Sequence, residues 1–317
     1  KCFTQKQEDE VPKMKSKLLS FKKIKNKYSS LVLMAPYTFL FILFIIIPVG
    51  AAIILSFTSF NAIGAPSFTG LSNYVNLLTN DSVFMQKVLP NTLIYAIFVG
   101  LGGYVLSFFL AWSLSQISKI PRTIMTVILY SPSVTGGVLL ATIWSSVFSG
   151  DKRGLLNYLL LKYDIIENPI QWLQSGSYLM PIMIIVGLWS SMGIGFLSML
   201  SGILNTDKEM YEAARIDGVK NRFQEIIYIT IPAIKPQMMF GAVMAIVNIF
   251  KDGGSGVTLS GANPTPDYAG QLIANHIDDY GFIRYEMGYA AAVSTVLLLM
   301  IFILSRVVSR VFSSDGE

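Results

Sequence analysis

The stretch EAARIDGVKNRFQEIIYITIP, residues 212–232, decides how the rest of the chain is read. It carries charges at Glu212, Arg215, Asp217, Lys220, Arg222 and Glu225, yet apolar segments flank it on both sides. Helical spacing runs through it. Met210, Ala213 and Ala214 share one face at i, i+3 and i+4. Thr206 stands three residues before Glu209, a capping-box pattern that predicts a helix start. Gly218 predicts a stop, because glycine accepts the left-handed backbone that ends a helix. Asn221 predicts the N-cap of a second short helix, in which Phe223, Ile226 and Ile227 share a face and which Pro232 closes. The expectation is helix, tight turn, helix, lying across the ends of neighbouring spans. On physical grounds alone, such an object also reads as an interfacial helix that merely caps a bundle.

The flanks settle the class. Of 317 residues, 53% are hydrophobic and 14% charged, against about 25% charged in soluble domains. The deficit is concentrated in long charge-free windows, which points to a membrane protein. Six windows predict transmembrane helices: roughly 31–57, 92–114, 124–148, 179–204, 237–250 and 287–307. The fifth has fourteen residues, about 21 Å of helix and too short for a core of about 30 Å. It must continue through Lys251 and Asp252 or break at Gly253-Gly254.

Charge asymmetry gives orientation. With the amino terminus inside, eighteen of the 24 Lys and Arg fall in inner segments, nine of them in residues 1–30. The positive-inside bias predicts both termini in the cytoplasm. It puts residues 205–236 on the cytoplasmic side. The expected organisation is a basic cytoplasmic tail (1–30) and a transmembrane domain (31–313) with extracellular loops at 58–90, 149–178 and 251–286. The fold class is an all-α integral membrane protein. Pro132 with Gly136-Gly137 predicts a kink in the third span, and Gly193 and Gly195 allow a close backbone neighbour; both also read as plain helix packing. A single Cys2 excludes an internal disulfide, and the single His276 has no partner for a metal site.

The EAARIDG run followed by ITIP resembles the EAA loop of binding-protein-dependent ABC importer permeases. The matching residues are Glu212, Ala213, Ala214, Gly218, Ile229 and Pro232. Ile231 stands where leucine is usual, and ten residues separate Gly218 from Ile229. GLSNY, the NT opening the second span, Trp144, Trp189 and MGYAAAVS resemble the carbohydrate-uptake branch, in particular the first of the two permeases of maltose-type and multiple-sugar importers. The resemblance covers roughly residues 36–310. It implies a coupling helix, with Glu212, Ala213, Ala214, Asp217 and Gly218 docking on a separate ATPase. It further implies a second homologous permease forming a heterodimer, two ATPase subunits, an extracellular solute-binding protein and a bacterial inner or plasma membrane. ATP and Mg2+ would belong to the ATPase partner. No cofactor, metal or nucleic acid is expected on this chain, and it lacks the Gly-Lys pair of a P-loop.

For a sugar pathway, which calls for hydrogen-bonding groups and aromatic faces, the candidates are Tyr130, Trp189, Ser190, Asn248, Lys251 and Asp252. The last three fall at i, i+3 and i+4 and predict one wet face; snorkelling of Lys251 with a local ion pair explains them equally. Other classes stay open: an importer permease for a non-sugar solute, an ion-coupled transporter, or a membrane scaffold. The lack of ionisable groups at mid-membrane depth argues against the ion-coupled reading.

Overall fold

The computed structural model describes residues 33–135 and 137–312; the basic tail at 1–30 lies outside them. Contacts divide the chain into residues 1–54 and 55–317. The first unit contributes most of α1, Leu33–Leu55, a 23-residue apolar helix.

Among the described residues, the second unit consists of helices and their connections apart from one short hairpin, in which β1 (Thr58–Ser59) pairs antiparallel with β2 (Ser67–Phe68). Helix α2 (Ser72–Thr79) leads into α3 (Phe84–Ser115), of 32 residues. Helices α4 (Lys119–Val134) and α5 (Gly137–Val147) follow, sharply bent at their junction. Then come α6 (Leu155–Lys162), α7 (Gly176–Ser190) and α8 (Ile194–Asn205). The predicted loop helices are α9 (Lys208–Ile216) and α10 (Arg222–Ala233). Helix α11 (Lys235–Lys251) turns 82° from α10. The short α12 (Ser255–Ser260) and α13 (Ile273–Asp278) precede the 26-residue α14 (Met287–Phe312). Among the described residues, four helices are long and apolar enough to cross a membrane, and up to six if each bent pair is one span.

Two boundaries differ from the sequence expectation, for one physical reason. The second span starts at Phe84 instead of Thr92, and the second loop helix runs through Pro232 to Ala233. Wide π-turns at Phe84–Val88 and Ile226–Thr230 sit just ahead of Pro90 and Pro232. A proline lacks an N–H and crowds the preceding turn. The shifted i→i+5 register lets the chain stay helical through it. The Asp81 carboxylate also caps the early start, accepting the Phe84 N–H at 2.8 Å.

Helix α8 sits between α3 and α11. A Cβ on Gly195 would lie 2.9 Å from the Gly241 Cα, so here two backbones touch. Gly193 has no such neighbour; it opens α8 after a break at 191–193. At the end that carries α9 and α10, Phe108, Leu114, Phe196, Met199, Ile226 and Met238 form one buried cluster. At the opposite end, Phe84, Val88, Phe250, Ile273, Tyr289 and Val293 form another. These pairings set α3 and α11 antiparallel.

Candidate functional site: an exposed helical lever and a polar cavity

The 205–236 segment folds as helix, turn, helix. Its first cap is Asp207, whose carboxylate accepts the Glu209 N–H at 3.1 Å. This corrects the expectation for Thr206, whose hydroxyl instead donates to the Gly202 carbonyl at 3.0 Å and closes α8. Gly218 adopts φ +98°. Around it, Val219 N–H reaches the Ala214 carbonyl at 3.0 Å and Gly218 N–H the Arg215 carbonyl at 3.3 Å. That bond pair is the Schellman stop, which satisfies carbonyls a helix end leaves open. Asn221 then caps α10, its side-chain oxygen accepting the Gln224 N–H at 2.8 Å.

No residue of α9 is buried. Glu212, Ala213, Asp217 and Gly218 are exposed and Ala214 is half-buried. The helix rests lightly on α10, where the Tyr211 and Thr230 hydroxyls lie 3.3 Å apart. By contrast α10 is anchored, since Ile226 and Ile229 are buried. Arg222 holds the buried Glu225 carboxylate through both oxygens at 3.0 Å. The sequence reading missed this pair; its signal was the i, i+3 spacing of opposite charges at the start of a helix. The result is a free helix hinged by one glycine to a fixed one.

Above this lever is a cavity of about 680 Å³, within the range of small-ligand sites. It runs between α3, α4, α7, α8 and α11. Tyr130, Ser190, Asn248 and Asp252 line it together with Tyr95, Tyr104, Ser107, Ser133, Thr135 and Ser191. Several hydroxyl protons are already committed to helix carbonyls: Ser133 to Tyr130 at 2.8 Å, Thr135 to Ser131 at 2.8 Å and Ser191 to Leu188 at 2.7 Å. Those oxygens therefore present lone pairs. The Tyr104 hydroxyl is buried without a hydrogen-bond partner.

Trp189 and Lys251 do not line the cavity. Trp189 sits edge-on to Trp144, with ring centroids 5.4 Å apart. Helix α11 ends at Lys251, and Asp252 leaves helical backbone with ψ 102°. The expected shared face of Asn248, Lys251 and Asp252 is therefore broken, and Lys251 is exposed. The Asp252 carboxylate caps the turn that follows. It accepts the Gly254 N–H, the Ser255 N–H and the Ser255 hydroxyl at 3.2, 3.1 and 2.6 Å, and the Tyr95 hydroxyl at 2.9 Å. Capping explains its position better than solute contact.

At the far end, Asp81, His276 and Tyr289 meet. Asp81 Oδ2 lies 2.9 Å from His276 Nε2 and accepts the Tyr289 hydroxyl at 2.6 Å. Burial by itself would raise the Asp81 pKa. The hydrogen bonds from His276, Tyr289 and the Phe84 N–H outweigh it and hold the carboxyl well below its ordinary range. Nearby, burial and the Asp81 charge push the Tyr280 phenol up to about 12. His276 is thus a tie between chain segments 195 positions apart. Among the described residues, no cluster of His, Cys, Asp and Glu could hold a metal.

Comparison with known proteins agrees with the geometry. The chain is 30% identical to the arabinooligosaccharides transport system permease protein AraP of Bacillus subtilis, over 89% of this chain and 88% of that protein. It is 28% identical to the lactose transport system permease protein LacF of Rhizobium radiobacter, over 86% and 89%. A crystal structure of a bacterial ABC transporter involved in the import of the acidic polysaccharide alginate shares the fold. Its TM-score is 0.77 at 20% identity, covering 94% of this chain and 99% of the other. Residues 103–313, which hold the lever, most of the cavity lining and the last span, match the model of the binding-protein-dependent transport system inner membrane component, and the chain belongs to that family of multi-pass membrane permeases.

Proposed function

We propose that this chain is one of two paired permeases of an ATP-driven importer that takes up a sugar or oligosaccharide delivered by an extracellular binding protein. Its six spans leave both termini in the cytoplasm of a bacterial cell, and the 205–236 segment faces the cytoplasm. There α9 is the coupling helix. Ala213 and Ala214 allow close approach to an ATPase surface, Glu212 and Asp217 offer carboxylates to it, and Gly218 sets the angle between lever and anchor. Tyr130, Ser190 and Asn248 contribute hydrogen-bonding groups to the solute pathway. Movement is alternating access, with no covalent chemistry on this chain.

The observation that carries this reading is the unburied α9 joined through the Gly218 turn to the anchored α10. A helix with no buried residue gains little from its own bundle. Its stability and position must come from a partner. The saccharide reading draws on the hydroxyl-lined cavity and on what the similar permeases are named for. A photo-crosslinker at Ala213, in membranes that hold the full complex, tests the coupling role. A crosslink to a nucleotide-hydrolysing protein is the expected result, and its consistent absence under active conditions would remove that role.

A further inference from the structure

The cavity follows α3 from Tyr95 to Ser107 and α11 from Gly241 to Asp252, roughly 17 Å along each helix. Among the described residues lining it there is no Lys, Arg or His. The one carboxylate among those residues is Asp252. Both carboxylate oxygens are already engaged, by Gly254 N–H, Ser255 N–H, Ser255 hydroxyl and Tyr95 hydroxyl. The Asp252 carboxylate is therefore held in place and offers little free hydrogen-bonding capacity to a solute.

We infer that Asp252 is a specificity-determining residue that makes this half of the pathway select an uncharged polyhydroxylated solute and reject a polyanionic one such as a uronate oligomer. The inference rests on the saccharide reading above. An anion leaving water needs a cation or oriented N–H groups to replace its hydration. This cavity provides hydroxyls, one amide and a fixed negative charge. A neutral sugar needs only hydrogen bonds, and the Ser133, Thr135 and Ser191 oxygens together with the exposed Asn248 amide supply acceptors and a donor. The solved alginate importer handles an acidic polysaccharide, so the inference separates this chain from a protein of the same fold.

The test uses the purified full-length chain with the permease and ATPase that copurify with it, and saturation-transfer NMR, which reads weak binding without a binding protein. The probes are a neutral arabinose trisaccharide and a uronate trisaccharide. Wild type is expected to bind the first and not the second. Asp252→Asn keeps the capping oxygen and removes the charge. It should leave neutral-sugar affinity within about twofold and strengthen uronate binding about tenfold or more, the scale of one unit charge within several ångströms in a protein site. Tyr95→Phe breaks a bond and keeps the charge, so it should still reject the uronate. Ser190→Lys, which adds a cation to the lining, should admit it even if Asp252→Asn fails to fold. Equal binding of both sugars by wild type overturns the inference, as does no gain in uronate binding for either charge variant. Binding of neither sugar by wild type removes the saccharide reading itself.

Discussion

Replacing Gly218 by alanine isolates the hinge of the lever. The residue sits at φ +98°, and an added Cβ meets nothing within 4 Å. There is no packing change to confuse the result; only the backbone conformation is penalised. For an L-residue, left-handed backbone costs roughly 1–2 kcal/mol. That strain bears on the Schellman bonds at Ala214 and Arg215 and so on the direction in which α9 leaves α10. Because α9 buries nothing of its own, the native bundle does not restore the angle. The cost falls on docking. A penalty of this size is a factor of about 5–30 in an equilibrium. The apparent dissociation constant of the partner ATPase for the permease pair in nanodiscs should rise by that factor, and coupled uptake should fall with it. Gly218→Asn should recover part of the loss, since asparagine tolerates positive φ better than alanine. If Gly218→Ala binds the ATPase within twofold of wild type, the hinge argument is wrong.

Three further outcomes follow from the packing. Gly195→Ala should lower the melting temperature of the purified complex, because its Cβ would press on Gly241 backbone at a cost of about 1–3 kcal/mol; Gly137→Ala, with open space around it, should not. Asn157 is fully buried and bonds the Ser149 and Ile170 carbonyls, the Ile170 N–H and the Trp172 indole, so Asn157→Ala should destabilise by about 3 kcal/mol or more by orphaning buried groups; chemical denaturation of the two purified proteins measures it. The Asp81 carboxyl is depressed in the folded protein, so its stabilisation is present above the ordinary carboxylate range, near pH 4, and lost as pH falls through the folded value. The melting-temperature gap between wild type and Asp81→Asn should be wide at pH 7 and close progressively below about pH 4; a gap independent of pH would show that ionisation of Asp81 adds nothing.

Local signals were the legible ones. Gly218 and Asn221 act where their conformational and capping chemistry says they should, because both depend on neighbours within five residues. Apolar windows located the four long apolar helices for the same reason. The starts at Phe84 and the run through Pro232 were hidden because a π-turn leaves no clear mark in sequence and a proline reads as a stop. Asp207 was overlooked beside Thr206, since two adjacent residues with capping side chains compete and the winner depends on what the other one bonds. By spacing alone, Asp252 shares a helical face with Asn248. The backbone change that removes it depends on Gly254, Ser255 and Tyr95, the last 157 positions away. His276 with Asp81 is the extreme case, a tertiary pair with no local pattern at all.

The most direct measurement is solute uptake by vesicles holding this chain and its paired permease, with the ATPase and the extracellular binding protein added singly and together. Accumulation only when both are present and ATP is hydrolysed is the predicted result. Sustained accumulation by the membrane subunits without the ATPase would contradict the coupling of transport to a partner motor.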